Sequence, residues 1–156
     1  MQEKRKLIEI IKQKIYNLED LKELSIVLEQ IIFNKPQFII YFYGEMGVGK
    51  TTLIQYLLKG HIGVGDINNH VTSPTFNILN LYEGKNGSKY LHFDLYRKDV
   101  MLMEDLREMG MELLYDGQNY CFIEWPERII NREKSTNIIE IFIKKIDDFR
   151  EITVNV

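Results

Sequence analysis

The sequence predicts an α/β sandwich of three layers on a mixed, parallel and antiparallel sheet, and three observations carry that prediction. The runs Phe38–Tyr43 and Tyr120–Trp125 have the length of strands and are apolar almost throughout, as strands covered on both faces are. A glycine-rich segment follows the first run directly and opens a helix-like stretch, Thr51 to Lys59, so strand passes to helix through a tight loop. Ile138–Ile146 and Phe149–Val156 alternate around Asp147–Asp148, which predicts an antiparallel hairpin at the end of the chain.

The remaining elements follow in order. Leu7, Ile11, Ile15 and Leu18 fall at helical spacing and predict an N-terminal amphipathic helix with Asn17 as its stop. A second helix is expected from Leu18 to Ile32, with Leu21, Leu24, Leu28 and Ile31 on its core face. Pro36 disfavours helix at the residue before it, so Asn34-Lys35-Pro36 reads as a turn. Gly60 is expected to stop the helix after Thr51, and Gly60–Pro74 reads as a loop that moves or binds. Thr75–Tyr82 and Lys89–Leu95 read as a hairpin joined by Glu83–Ser88. Asp99–Met109 reads as a helix, with Asp99 as N-cap and Gly110 as stop. With no repeat, low-complexity tract or linker, residues 1–156 read as a single domain, 1–17 being an extra N-terminal helix.

Composition narrows the function classes. The 156 residues suffice for one domain with a buried core, and 45% hydrophobic with 28% charged residues is a globular balance. A net charge of -3 lacks the cationic excess that broad nucleic-acid binding needs. The single cysteine, Cys121, excludes an internal disulfide and a cysteine metal cluster, and its apolar neighbours predict a buried strand residue. No stretch resembles a signal peptide or a membrane span, so the cytoplasm is the expected location and no membrane is an expected partner.

The chemistry concentrates at Gly44-Glu45-Met46-Gly47-Val48-Gly49-Lys50-Thr51, which satisfies G-x-x-x-x-G-K-[ST] at every fixed position. Its setting between a strand and a helix is the one that a phosphate cradle requires, so the fold class sharpens to a three-layer P-loop NTPase sandwich. The glycines bring amide N–H groups against phosphate oxygens, and the helix start adds the positive end of its dipole. Lys50 is expected to reach the β- and γ-phosphates and the Thr51 hydroxyl to bind Mg2+, with Thr52 beside it. A nucleoside triphosphate and Mg2+ are thus the expected cofactors, the loop alone leaving ATP and GTP both open.

The metal needs a further ligand, and two acids end apolar runs. Asp94 follows Tyr90-Leu91-His92-Phe93, and Glu124 follows Tyr120-Cys121-Phe122-Ile123. A buried carboxylate is costly unless paired or metal-bound. The shorter Asp94 suits the metal and Glu124 suits polarising the attacking water, the alternative for each being an exposed strand-end acid. Thr72-Ser73-Pro74-Thr75 either senses the γ-phosphate or completes the magnesium shell, as switch loops do, or is only a turn before a strand, and whether Thr75 or Glu124 completes that shell stays open. Arg97, Arg107 and Arg128 read first as surface or ion-pair residues and second as stabilisers of transition-state charge. His92 reads as a hydrogen-bonded strand histidine or part of a network beside Asp94. His61 and His70 lack partners at metal-ligand spacing.

Gly44–Thr52, Ser73-Pro74-Thr75-Phe76, His92-Phe93-Asp94-Leu95-Tyr96-Arg97, Glu104 to Gly110 and Glu124-Trp125-Pro126 occur in this order and at these spacings. Together they resemble the bacterial TsaE (YjeE) family, the ATPase of the tRNA threonylcarbamoyladenosine pathway, from about Glu19 to Ile143. The resemblance implies that Lys50 and Thr51 act as the P-loop lysine and magnesium threonine, and Thr75 as the switch-loop threonine. It implies further that Asp94 is a metal ligand and that Glu124 and Trp125 lie near the nucleotide. The implied partners are the TsaD and TsaB subunits, the first of which transfers threonylcarbamoyl onto the adenosine at position 37 of tRNA. The ATPase would cycle or reset that complex and meet tRNA indirectly. The first ~17 residues exceed the family's usual start, and their helix is expected to pack on the domain, with a dimer or partner contact as alternatives.

Two other functions compete with ATP hydrolysis that is slow alone and partner-stimulated. A small-molecule kinase would use the same cradle, but needs an acceptor pocket and an arginine lid that only Arg128–Arg132 could imitate. A GTPase-type switch would carry Asn-Lys-x-Asp, and Asn34-Lys35-Pro36-Gln37 lacks the aspartate and precedes the P-loop strand.

Overall fold

The computed structural model describes residues 8–36, 38–62, 70–72, 78–84, 87–132 and 137–156. Its elements run β1 (Glu9–Ile15), α1 (Leu18–Ile32), β2 (Ile39–Tyr43), α2 (Lys50–Ile62), β3 (His70–Thr72), β4 (Leu79–Glu83) and β5 (Lys89–Asp94). There follow β6 (Met101–Leu102), α3 (Met103–Glu108), β7 (Tyr120–Glu124), β8 (Ile129–Ile130), β9 (Ile138–Ile146) and β10 (Phe149–Asn155).

Eight strands form one sheet in the order β1-β10-β9-β2-β7-β5-β4-β3, and β6 and β8 form a small parallel pair. The centre is parallel, β2 lying between β9 and β7, and β7 beside β5. The flanks are antiparallel, β1-β10-β9 on one side and β5-β4-β3 on the other. On one face, Leu24 and Leu28 of α1 and Leu53, Leu57 and Leu58 of α2 pack on Ile40, Phe42, Phe122, Ile139 and Ile141. On the other, α3 and the 3₁₀ turn Met111–Tyr115 pack on Ile39, Tyr41, Phe93 and Ile123. This is the three-layer P-loop fold with a mixed sheet. Cys121 lies fully buried within it, and burial pushes its thiol pKa up. No helix among the described residues is long and apolar enough to cross a membrane.

Four expectations are corrected. The N-terminal segment is a strand, not a helix: β1 pairs with β10 from Glu9↔Asn155 to Ile15↔Arg150. Ile11 and Ile15 are four residues apart, a spacing that helix and strand both bring to one face, and Leu18, which the helical stripe would have buried, is exposed. β-Branched isoleucines and the open edge of β10 decide for the strand. Asn17 is accordingly not a stop but the N-cap of α1, its Oδ1 accepting the Asp20 N–H at 2.9 Å.

Gly60 does not end α2, which continues to the buried Ile62. Gly60 is exposed and faces α1, where a Cβ would meet only the movable end of the Glu29 side chain. In the third correction, the expected Asp99–Met109 helix shortens to α3. Its first turn is closed by the Asp105 carboxylate accepting the Leu102 N–H at 3.0 Å, and Met101–Leu102 is drawn into pairing with β8. Gly110 ends that helix as expected, with φ 132°. Finally, β3 forms within the expected Gly60–Pro74 loop, pairing with β4 through His70↔Tyr82. The rest of that loop beyond Ile62 lies outside the described residues, as do Ser73, Pro74 and Thr75.

Candidate functional site

The parallel strands β2, β7 and β5 end side by side, and the chain ceases to be apolar there. Tyr43 gives way to the glycine-rich loop, Ile123 to Glu124, and Phe93 to Asp94, the last two directly opposite each other in register. Ligand crevices in open α/β sheets form beyond such carboxyl ends.

Gly44, Gly47 and Gly49 have φ of 154°, 77° and 116°, a region that side-chain-bearing residues rarely adopt. A Cβ on Gly44 would also lie 2.7 Å from the Ile143 carbonyl oxygen and 2.8 Å from Val48 Cγ1. The loop delivers the chain into α2, whose first turn lacks intrahelical acceptors for its N–H groups. The result is a row of donors suited to an anion. Glu45 and Met46 stand exposed at the loop's tip, and Val48 is buried beneath it.

Lys50 is 5% exposed. Its Nζ donates to the carbonyl oxygens of Gly44 and, at 3.1 Å, Glu45. It also lies 4.1 Å from the centre of the Trp125 ring, a cation–π distance. Burial lowers the Lys50 pKa, against the opposing charges of Glu124, Glu127 and Asp94. Trp125 takes a left-handed φ of 60°, which turns its ring from the end of β7 toward the lysine. Tyr96 packs on its indole, the ring centres 5.1 Å apart, and the Arg128 guanidinium is 5.9 Å away.

Glu124 is 2% exposed. The Thr51 hydroxyl donates to its Oε1 at 2.7 Å, and His92 Nε2 lies 3.2 Å from its Oε2. Burial alone would raise its pKa. Hydrogen bonds from His92 and Thr51, with the positive charge of Lys50, outweigh that and hold it below the ordinary glutamate value. An ionised carboxylate only accepts, so His92 Nε2 carries the proton in this contact. Asp94, by contrast, is exposed, and its Oδ1 accepts the Tyr96 N–H at 3.1 Å. Hence Glu124, not Asp94, meets the Thr51 hydroxyl, and His92 joins Glu124 rather than Asp94.

Beside the loop opens a cleft of about 230 Å3, lined by Gly47, Gly49, Thr52, Asn17, Leu18 and Arg150 among others. Arg150 Nε donates to the Val48 carbonyl at 2.6 Å and ties the loop to β10. Reading along the chain missed Asn17, Leu18 and Arg150 as neighbours of the site. A contact spanning 102 residues leaves no local pattern. Of the expected residues, the structure gathers Gly44 to Thr52, Glu124, Trp125 and Asp94 at one end of the sheet. Among the described residues, no group of three or more His, Cys, Asp or Glu could hold a metal by itself. Thr51 and Glu124 nevertheless offer adjoining oxygens of the hard kind that Mg2+ prefers.

Comparison with known proteins agrees with this architecture. A family model described as threonylcarbamoyl adenosine biosynthesis protein TsaE matches residues 15–152. The tRNA threonylcarbamoyladenosine biosynthesis protein TsaE of Rickettsia felis is 34% identical over 136 residues, which cover 87% of this chain and 74% of that protein. Its counterpart in Bacillus subtilis strain 168 is 32% identical over 145 residues, 92% of this chain and 84% of the relative. The crystal structure of Bacillus subtilis YdiB superposes with a TM-score of 0.63 at 26% identity, covering 97% of this chain and 88% of that one. A family model that spans nearly the whole chain, joined by such relatives, places the chain in the TsaE family of tRNA threonylcarbamoyladenosine biosynthesis.

Proposed function

We propose that this chain binds ATP with Mg2+ at the Gly44–Thr51 loop and hydrolyses it as an accessory subunit of the tRNA threonylcarbamoyl transfer machinery. The observation that carries the reading is the junction itself. Left-handed glycines, the lysine Lys50 and the pair Thr51–Glu124 meet where a parallel strand enters a helix. The family's place in tRNA threonylcarbamoyladenosine biosynthesis supports the pathway, and TsaD and TsaB are the partners we assign.

In this reading the loop amides and Lys50 hold the β- and γ-phosphates, Lys50 exchanging its carbonyl partners for phosphate oxygens. Trp125 screens the lysine from water. The nucleoside end leaves past Thr52 into the cleft between Asn17, Leu18 and Arg150. Thr51 and Glu124 would hold the metal, which supplies charge neutralisation on the phosphates when bound. Asp94 is free of the Thr51 contact and faces solvent, which suits orienting the attacking water, so this reading exchanges the roles that side-chain length and the family resemblance suggested for the two acids. Thr75 keeps its expected switch-loop role.

The test is fluorescence titration of Trp125 with ATP and Mg2+, followed by phosphate release with and without added TsaD and TsaB. Saturable binding and partner-stimulated release are expected. No nucleotide response would overturn the reading, and transfer of the phosphate to a metabolite would replace it with a kinase.

A further inference from the structure

An imidazole inside the parallel strand β5, between Leu91 and Phe93 and 4% exposed, is a costly choice unless a specific partner justifies it. The partner is Glu124 Oε2 at 3.2 Å. β5 and β7 pair with His92 opposite Phe122, which sets the histidine diagonally beneath Glu124. The other carboxylate oxygen is committed to Thr51 at 2.7 Å. Thr51, Glu124 and His92 thus form a line that runs from an exposed hydroxyl at the start of α2 into the sheet.

We infer that His92 is a positioning residue: its Nε2–H holds the Glu124 carboxylate in the orientation that presents Oε1 to Thr51 and to a divalent cation. A glutamate has three rotatable bonds, and one contact to an exposed threonine leaves the carboxylate plane free to turn. The second contact, from a ring embedded in the sheet, fixes that plane. Histidine suits the place because a planar donor on a short stem reaches across one strand without disturbing the apolar packing beside it. The inference rests on the proposed site in one respect, that Thr51 and Glu124 receive the metal. The His92–Glu124 pairing stands apart from it.

The experiment has two arms. In the first, the Mg2+ concentration for half-maximal tightening of a non-hydrolysable ATP analogue is measured for wild type, His92→Ala and His92→Gln. The alanine variant should need about 10- to 100-fold more Mg2+, the usual cost of losing a partner behind a metal ligand. Its affinity for the analogue without metal should stay within about twofold, since the phosphate donors are intact, and glutamine, which keeps an N–H donor, should restore most of the response. A wild-type Mg2+ response in folded His92→Ala would overturn the inference, as would a glutamine variant no better than alanine.

In the second arm, thermal unfolding of metal-free wild type, His92→Phe, which keeps a ring but has no donor, Glu124→Ala and the double variant gives the coupling between the two side chains. Non-additive Tm shifts are expected, and additive shifts would also overturn the inference. This arm holds even if His92→Ala does not fold. If wild type binds no nucleotide while the coupling is present, the proposed function fails and the positioning of Glu124 survives.

Discussion

The two halves of the sheet are built to different rules. In the central strands β2 and β7 nearly every side chain is buried on both faces, so the chain keeps no charged residue until the strand end, where Glu124 appears. In the flank β9-β10-β1 burial alternates. Ile139, Ile141, Ile143, Ile152 and Val154 face α1, while Phe142 and Lys144 stand exposed on the reverse. The centre isolates charge and must satisfy it: Lys50, Glu124 and His92 are all buried, and all are partnered. The flank leaves most of its charges in water, with Arg150, which reaches the Val48 carbonyl, as the exception. Only the centre has the low dielectric that strengthens a charge-assisted contact to a phosphate.

Substitutions can break or sharpen that contrast. The largest effect is expected at Lys50, where each charged hydrogen bond to phosphate contributes about 1.5–3 kcal/mol. Lys50→Ala should weaken nucleotide binding by two orders of magnitude or more, read by titration of Trp125 fluorescence. Undiminished affinity would remove the loop from the site. Next comes Ile139→Ala on the flank, a fully buried side chain outside the cleft whose truncation should cost about 2–5 kcal/mol of unfolding free energy. Nucleotide affinity measured well below the melting temperature should stay within about twofold. A large loss would show that packing deep in the flank, away from the cleft, also shapes the site.

A smaller effect concerns pH. The Glu124 pKa is lowered in the folded state, so its contribution to stability is complete above the unfolded glutamate pKa and is lost as pH falls through the lowered folded value. Denaturant melts of wild type and Glu124→Gln across the acid range should show a flatter dependence for the variant. Parallel curves would mean that the carboxylate is not held ionised. The smallest change belongs to Lys144→Ala. Lys144 faces Glu151 across the β9–β10 ladder, and Glu151 also meets Lys12 at 3.8 Å. Such exposed pairs contribute little, so stability should move by less than about 0.5 kcal/mol.

The same contrast explains what could be read along the chain. The centre announces itself locally, because strand ends, glycines and acids are contiguous in sequence. The strands β2 and β7 and the strand-to-helix loop at Gly44 to Thr51 therefore emerge close to where they were expected, and the terminal hairpin around Asp147, though on the flank, is equally local. The N-terminal strand did not emerge, since Ile11 and Ile15 satisfy both periods and only the distant β10 decides between them. Gly60 carried a stop signal locally, yet α2 runs on to the buried Ile62. Which of Asp94 and Glu124 lies against the Thr51 hydroxyl was equally out of reach. Both end apolar runs, and the deciding fact is which of them α2 brings beneath Thr51. His92 was visible as an oddity in a strand, but its partner lies 32 residues away.

The fate of Cys121 has a practical sequel. As the chain's one thiol, sealed inside the sheet and kept protonated by its surroundings, it should resist alkylating dyes and mild oxidants while the fold is intact. The native sequence is therefore already a silent background for spectroscopic labelling. A cysteine introduced at a surface position such as Lys144 would carry a single probe and report the approach of a second protein by energy transfer.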